Sequence, residues 1–363
     1  MILANNDMGL YKFRRELLEK LLTEYEVHLV LPQGVFIEEL VNMGCVFHAM
    51  EFCSRGTNPI KDLKLLKQYK SLIREIKPSA VLTYTIKPNV YGGMACAALN
   101  VPYIANITGL GTAVENTTIL SVVTTTLYKY ALRKAKKVFF QNESNLEFMK
   151  NKKIVKNNYD LLPGSGVNLQ QYQPISYPNE DTIHFVFISR VMKEKGADQY
   201  LDAARYITEK YPNTRFHICG VAADEYKELL EQDYKDCVVY HGAVKDMLPI
   251  YEMTSCTIHP TYYPEGMSNV LLESCASARP IITTDRPGCK EILEDGVNGF
   301  LIKEKDSADL IEKIERFLNL TYSERQKMGF NGRKKVEEEF DRNIVIEKYW
   351  KELSELWTDI KKY

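Results

Sequence analysis

The chain has 363 residues, too many for one ordinary domain and enough for two domains of roughly 150 to 200 residues each. Its eight cysteines form no Cys-x-x-Cys pair, and no run of about 18 apolar residues occurs, so the sequence predicts no zinc site, disulfide framework or membrane span. Residues 1–163 contain 21 Lys and Arg against 14 Asp and Glu, a net charge of +7, which leaves −8 for the remainder.

Short apolar segments typical of strands alternate with longer amphipathic segments throughout residues 1–163. The pattern predicts strands over 2–4, 26–31, 46–50, 80–84, 103–107 and 138–141, and helices over 11–23, 35–43, 60–76, 89–99, 119–136 and from 143. Strands that alternate with helices of ten or more residues indicate a doubly wound parallel sheet. Ligands of such sheets bind beyond the carboxyl ends of the strands.

A second alternating series follows a Pro/Gly-rich join at 162–168. It predicts strands over 184–189, 215–219, 238–240, 256–259, 280–284 and 299–302, and helices over 197–210, 223–232, 247–253, 270–278 and 307–318. An apolar stripe in 342–362 indicates a final helix that packs on another part of the chain. We therefore predict an α/β protein with domains over 1–163 and 164–342.

The most informative stretch is 264–274, Pro-Glu-Gly-Met-Ser-Asn-Val-Leu-Leu-Glu-Ser. Glu265 falls in a loop and Glu273 about two turns into a helix, so the two carboxylates would lie roughly 10 Å apart. Between them Gly266, Met267, Ser268 and Asn269 form the helix start, whose backbone N–H groups are unpaired. An anion site bracketed by two hydroxyl acceptors matches the layout of a sugar nucleotide, although such a glutamate spacing also occurs by chance in charged helices.

A pair of cations is predicted at the end of the first strand of the second half. Arg190 ends that strand, and Lys195 with Gly196 precedes the next helix. Arginine offers a bidentate fork and lysine a point charge, which together suit a diphosphate.

Three loops after strands of the first half contain candidate ligand contacts. Gly9 opens the first helix and would let backbone approach a donor. Lys87 is either an acceptor-phosphate ligand or a plain surface lysine, and Thr108 and Gly109 lie in the third loop, near the expected acceptor.

The positive charge of the first half is concentrated in two amphipathic segments. Lys61, Lys64, Lys67, Lys70 and Arg74 recur at helical spacing, and a second basic segment occupies 128–137. A solvated helix face is one interpretation. The other is contact with anionic lipid, to which each basic residue contributes about 1 kcal/mol near the surface.

The series Arg190, Lys195-Gly196, Gly220, Gly242, Pro264-Glu-Gly266, Glu273 and Gly288 resembles the motifs of retaining GT-B glycosyltransferases of family 4. Within that family, 141–149 and the Gly-Leu-Gly loop at 109–111 are similar to bacterial enzymes that extend undecaprenyl-diphosphate-linked sugars in surface polysaccharide synthesis. The resemblance implies two Rossmann-like domains facing a cleft, with the final helix, 343–363, crossing back to the first domain.

The resemblance also implies the roles of the site residues. Arg190 and Lys195 would hold the donor diphosphate, Glu273 the nucleotide ribose and Glu265 the hydroxyls of the donor sugar, while the backbone N–H groups of Gly266 and Met267 complete the anion site. The expected activity is retaining, metal-independent transfer of a sugar, such as an N-acetylhexosamine, from a UDP-sugar to a glycan acceptor, with no cofactor.

The expected acceptor is linked to polyprenyl diphosphate, and the expected location is the cytoplasmic face of the plasma membrane, in peripheral contact with anionic lipid. Two alternatives stay open: a UDP-sugar epimerase with the same two-domain plan, and a non-catalytic subunit that binds sugar nucleotides or a membrane surface. Nucleic-acid binding is disfavoured because the basic segments lack interleaved aromatics at the spacing of a recognised nucleic-acid-binding module.

Overall fold

The structure is a computed structural model that describes residues 1–52, 58–110, 119–179 and 181–360, without the side chains of 119, 120 and 357–360. The described chain forms two compact units. The first contains 1–166, 265–267 and 342–363, and the second contains 167–264 and 268–341. Three residues of the motif stretch, Glu265–Met267, thus pack with the first unit, whereas Ser268 and the following helix belong to the second.

The first unit is built on a seven-stranded parallel sheet of order β3-β2-β1-β4-β5-β6-β7. Its strands are β1 Ile2–Leu3, β2 His28–Leu31, β3 Val46–Ala49, β4 Val81–Tyr84, β5 Tyr103–Ile107, β6 Lys137–Phe140 and β7 Tyr159–Leu161. Its helices are α1 Asp7–Leu22, α2 Ile37–Asn42, α3 Pro59–Ile76, a π-turn Pro88–Gly92, α4 Gly93–Leu99, α5 Ile119–Leu132 and α6 Glu143–Asn151.

Alternating strand residues of this sheet enter two separate apolar cores. Leu3, Val30 and Val81 face the core shared with α3, α4 and α5, while Ile2, Leu29 and Leu82 face the core beneath α1. A sheet buried on both faces explains why its strands read as nearly continuous apolar runs.

The last helix of the chain, Arg342–Ile360, packs on the α1 side of this sheet through Val345, Ile346, Tyr349, Leu353 and Leu356. Its place in the first unit agrees with the prediction for 343–363, of which 361–363 lie outside the described residues.

The second unit contains a six-stranded parallel sheet of order β10-β9-β8-β11-β12-β13. Its strands are β8 Ile183–Ile188, β9 Thr214–Cys219, β10 Val238–Gly242, β11 Cys256–His259, β12 Ile281–Thr284 and β13 Gly299–Ile302. Its helices are a 3₁₀ turn Lys193–Lys195, α7 Ala197–Lys210, α8 Asp224–Gln232, α9 Leu248–Met253, α10 Asn269–Ala276, α11 Ser307–Leu318 and α12 Tyr322–Glu339, so the final helix Arg342–Ile360 is α13.

The predicted doubly wound parallel sheets are confirmed in both units. Helix α1 begins at Asp7 rather than at 11, because the side chain of Asn6 accepts a hydrogen bond from the backbone of Gly9 and caps the helix there. The segment predicted as one helix over 89–99 is a π-turn followed by α4, and the helix predicted over 119–136 ends at Leu132.

Strand β7 and helix α12 were not predicted from the sequence. Helix α12 lacks a wide apolar stripe because it packs through glycines: a Cβ on Gly329 would lie 2.2 Å from the carbonyl oxygen of Ala278, and one on Gly332 would lie 3.2 Å from the sulfur of Cys275. Its start was visible in the sequence as a capping box formed by Thr321 and Glu324.

None of the helices in the described part of the chain combines the length and the apolar character that crossing a bilayer requires.

Candidate active site

The candidate donor site of the second unit lies at the point in its sheet where the strand order reverses. Strands β8 and β11 are adjacent and parallel, and the strand order runs outward from this pair on both sides. The loops that follow the two strands therefore leave the sheet at the same edge. In doubly wound sheets this switch point is the usual ligand position.

The two loops are bonded to each other. The backbone N–H of Tyr262 donates to the carbonyl oxygen of Glu194 at 2.9 Å, and the Thr261 hydroxyl donates to the same oxygen at 3.4 Å. Gly196, at φ 77°, lies so close that a Cβ would be 2.1 Å from the carbonyl oxygen of Pro260. A larger residue at 196 would therefore separate the loops.

Both predicted phosphate-binding cations face one aromatic ring. The Lys195 ammonium lies 4.9 Å from the centroid of the Tyr263 ring, and the Arg190 guanidinium carbon lies 5.9 Å from it. Lys195 is 8% exposed, whereas Arg190 is exposed. The structure thus brings these two residues together as a cation pair, which is the name used below for Arg190 and Lys195.

Helix α10 follows the loop that contains Tyr263, and two polar side-chain atoms at its start have no hydrogen-bond partner among the described residues. Ser268, its N-cap residue, makes no side-chain capping bond, and its backbone N–H donates to the carbonyl oxygen of Gly288 at 2.8 Å. Within the described residues, the buried Ser268 hydroxyl and the buried Asn269 Oδ1 have no hydrogen-bond partner. Buried polar atoms are normally paired, so this helix start is suited to a polar ligand, to which the Ser268 hydroxyl can donate and the Asn269 oxygen can accept, while free backbone N–H groups of a helix start favour an anion.

Glu273 projects from the second turn of α10 and is held by a buried tyrosine. The Tyr251 hydroxyl donates to Glu273 Oε2 at 3.2 Å. Burial, followed by the charge of Glu273, raises the pKa of the Tyr251 phenol well above its usual value, so the phenol remains a donor. The carboxylate of Glu273 is thereby fixed in orientation as a candidate hydroxyl acceptor.

Glu265, Gly266 and Met267 pack within the first unit. The Asn142 amide donates to the carbonyl oxygens of Gly266, at 2.6 Å, and Glu265, at 3.2 Å, while its own oxygen caps α6. A Cβ on Gly266 would lie 2.3 Å from both the Thr108 carbonyl oxygen and Gln141 Oε1. This role of Asn142 was not predicted from the sequence, because the contact joins segments 124 residues apart.

The remaining predicted residues of the first unit have local partners. The backbone N–H of Gly9 donates to Asn6 at 2.7 Å, and Gly109 has φ 139°. Lys87 forms an ion pair with Asp62 at 2.7 Å, in which both side chains are only about a tenth exposed, and the Tyr91 hydroxyl donates to the same carboxylate. Roles for Gly9, Lys87, Thr108 and Gly109 in ligand binding stay predictions.

Helix α3 presents the basic residues that its spacing predicted, and we call Lys61, Lys64, Lys67, Lys70 and Arg74 the α3 basic face. Asp62, Leu65, Tyr69 and Ile73 form the buried stripe of the helix, which turns the lysines outward. None of the five makes an ion pair with another described residue. Ile60 and Leu63 beside them are 83% and 54% exposed, and Val122 of α5 is 67% exposed.

Comparison with known proteins agrees with this architecture. A family model for glycosyl transferases group 1 matches residues 170–335, and one for glycosyl transferase 4-like proteins matches residues 2–142. The chain is therefore a GT-B glycosyltransferase of the family 4-like group, and it is an enzyme that transfers a sugar.

Two curated relatives align along nearly their whole length. An N,N'-diacetylbacillosaminyl-diphospho-undecaprenol alpha-1,3-N-acetylgalactosaminyltransferase of Campylobacter jejuni is 25% identical, with 96% of each chain covered. The capsular polysaccharide biosynthesis glycosyltransferase CapM of Staphylococcus aureus is 26% identical over 100% of this chain and 97% of its own. The crystal structure of Anabaena HepE in complex with UDP and glucose shares the fold, with a TM-score of 0.80, 16% identity and coverage of 97% and 98%.

Proposed function

We propose that the protein transfers a sugar from a UDP-sugar to a glycan acceptor linked to polyprenyl diphosphate, with retention at the anomeric carbon. The observation that carries the donor assignment is the cation pair on the Tyr263 ring beside the open start of α10. Two cations and a helix N-terminus at one sheet edge fit a diphosphate. The UDP complex of the Anabaena structure supports the choice of uridine.

In this proposal, transfer breaks the bond between the anomeric carbon and the diphosphate oxygen of the donor. Negative charge grows on the diphosphate as that bond lengthens, so Arg190, Lys195 and the N–H groups at the start of α10 interact more strongly with the transition state than with the bound donor. The same groups stabilise the leaving UDP without a metal ion. The acceptor hydroxyl forms the new bond to the anomeric carbon on the face that UDP leaves, and its proton passes to the departing diphosphate oxygen, which gains negative charge in the same step.

The two glutamates have separate roles in this proposal. Glu273, oriented by Tyr251, accepts hydrogen bonds from the ribose hydroxyls. Glu265 accepts from hydroxyls of the donor sugar and stabilises positive charge that develops on its ring, and no covalent nucleophile is assigned. The peptide that carries Glu265 is held by Asn142.

The acceptor assignment rests on the curated relatives, one of which is named for an undecaprenol-diphosphate-linked substrate and another for capsular polysaccharide synthesis. A lipid-linked acceptor lies in a membrane, and the α3 basic face supplies five cations that pair with no acidic group among the described residues, with exposed Ile60 and Leu63 next to them. We therefore place the enzyme at the cytoplasmic face of the membrane, bound peripherally through this face to anionic lipid.

Product analysis tests the proposal. The protein is incubated with a panel of UDP-sugars, with and without polyprenyl-diphosphate-linked sugars, and UDP and glycan products are quantified. We expect UDP to be released only when an acceptor is present. We also expect NMR to show that the anomeric configuration of the new linkage is the same as that of the donor sugar. Conversion of one free UDP-sugar to another without acceptor would instead identify an epimerase, and UDP binding without turnover would identify a non-catalytic subunit.

A further inference from the structure

We propose that Tyr263 is a positioning residue that holds Arg190 and Lys195 at the diphosphate, an inference that rests on the proposed function. The ring is the one aromatic group within cation–π distance of both side chains in the described part of the chain. The face of a tyrosine ring attracts a cation that lies within about 6 Å of its centroid. Because both cations lie within about 6 Å of the Tyr263 centroid, the distance between Lys195 Nζ and Arg190 Cζ cannot exceed the sum of their two distances to that centroid.

The backbone of Tyr263 is held by hydrogen bonds on both of its peptide groups. The Tyr263 N–H donates to the Thr261 hydroxyl at 3.2 Å, and its carbonyl oxygen accepts from Arg286 Nε at 3.3 Å. Thr261 is itself held, since its carbonyl oxygen accepts from the Thr284 hydroxyl at 2.5 Å. Tyr263 is thus tied to β12, at the same edge of the sheet as the cations.

The Tyr263 ring, called the platform below, counteracts the repulsion between Arg190 and Lys195 and the freedom of their side chains. Two cations brought together before the donor arrives repel each other, and both side chains have long, rotatable stems. A ring face that attracts both of them offsets the repulsion and restricts their rotamers. The donor then meets two positioned cations and does not have to order them, which favours both binding of the diphosphate and stabilisation of the leaving group.

The neighbouring residue supplies a matched control. Tyr262 is also half-buried, and a lysine ammonium, that of Lys305, lies 4.7 Å from its ring centroid. Tyr262→Leu therefore removes an aromatic ring and a cation–π contact of the same kind one residue away, without touching the cation pair. Tyr263→Leu removes the platform, and Tyr263→Phe keeps it.

Calorimetry with inorganic pyrophosphate, UDP and uridine separates phosphate recognition from general damage to the loop. Tyr263→Leu is expected to weaken pyrophosphate and UDP binding by about fivefold to tenfold, with uridine binding changed less than twofold. Tyr263→Phe and Tyr262→Leu should stay within about twofold of the unaltered protein for all three probes. Equal weakening of uridine and UDP binding, or loss of pyrophosphate binding in Tyr263→Phe, would overturn the proposal.

A double-mutant cycle with Lys195→Ala tests whether Tyr263 acts through the cation. In the Lys195→Ala background, Tyr263→Leu should weaken UDP and pyrophosphate binding by a smaller factor than in the unaltered protein, because only the contact with Arg190 then remains to be lost, and simple additivity of the two effects contradicts the proposal. The outcomes separate it from the proposed function. If the protein bound pyrophosphate but not UDP, the proposed UDP-sugar donor would be wrong, and the Tyr263 variants could still be compared by their pyrophosphate affinities. If it bound neither probe, both the donor assignment and the positioning role of Tyr263 would be wrong.

Discussion

The two units differ in how they hold their positive charge. In the second unit, Lys195 is buried against the Tyr263 ring, and Arg190 faces the same ring. In the first unit, the cations of the α3 basic face point away from the buried stripe of the helix and make no ion pair with other described residues. Fixed cations can stabilise charge that develops at one bond, whereas mobile exposed cations suit a diffuse negative surface.

The basic residues of α3 have no ion-pair partners among the described residues, and helix α12 shows that this is not a general property of long helices in this protein. Both helices span 18 residues. In α12, Arg333, Lys334 and Lys335 each pair with a glutamate four residues on, at 2.5, 3.9 and 2.9 Å. Within the part of the chain that the structure describes, the lysines of α3 have no such partners, so the α3 basic face retains its field for an external anion.

The largest expected effect concerns the fixed cations. In the proposed mechanism Lys195 meets the leaving diphosphate, so Lys195→Ala should lower kcat by roughly 100- to 1000-fold with a smaller change in KM for the donor. Steady-state kinetics measures this, with the exposed neighbour Lys193→Ala as control. A raised donor KM at unchanged kcat would contradict a role in the transition state.

Charge reversal on α3 should affect membrane binding by a comparable factor. Lys61→Glu, Lys64→Glu and Lys67→Glu together should weaken binding to vesicles rich in phosphatidylglycerol by roughly 100-fold or more, at about 1 kcal/mol for each basic residue. Flotation at rising salt measures the affinity, which should fall as salt screens the surface charge.

The control for that change reverses three paired lysines of the second unit, Lys227, Lys313 and Lys334, so that the net charge is matched. Equal losses of vesicle affinity in the two triple variants would mean that net charge, rather than the α3 basic face, determines lipid binding.

For Lys87 we expect a smaller effect, and one on stability, unlike the effects expected for the cations assigned to ligand binding. Because Lys87 pairs with the largely buried Asp62, Lys87→Met should lower the free energy of unfolding by roughly 2 kcal/mol, as the loss of one partner leaves a charge buried. Restoring neutrality with Asp62→Asn should recover part of that loss. Urea denaturation measures both variants, and unchanged stability in Lys87→Met would favour the predicted acceptor role.

The smallest effect is expected at Glu273. Glu273→Gln should weaken UDP binding by about tenfold, because a charged hydrogen-bond acceptor of the ribose is lost, while kcat changes little. Calorimetry with UDP and 2′,3′-dideoxy-UDP decides the assignment: the variant should lose its discrimination between them. Equal affinity for UDP in the variant and the unaltered protein would remove Glu273 from the donor site.

The sequence predicted what depends on local pattern. Alternating strands and helices specified the two parallel sheets, and the carboxyl-edge rule directed attention to Arg190 and Lys195 after β8 and to the start of α10. These inferences need only the order of elements along the chain, because parallel strands place their following loops at one edge.

Contacts between distant segments could not be read in the same way. No sequence pattern singled out Tyr263, because its position beside Lys195 depends on β8 and β11 being neighbours in the sheet. Glu265 was predicted to lie in a loop of the domain over 164–342, whereas its peptide packs with the first unit and is held by Asn142. Helix α12 was missed because glycines, which leave no apolar signal, make its close contacts.

The division between fixed and open cations is tested most directly by one transfer assay with two forms of the same glycan acceptor, one on a short soluble lipid and one in anionic vesicles. We predict that the α3 triple reversal lowers transfer only to the vesicle-borne acceptor, whereas Lys195→Ala lowers transfer to both. Equal loss on the soluble acceptor in the α3 variant, or full activity of Lys195→Ala on it, would contradict the account.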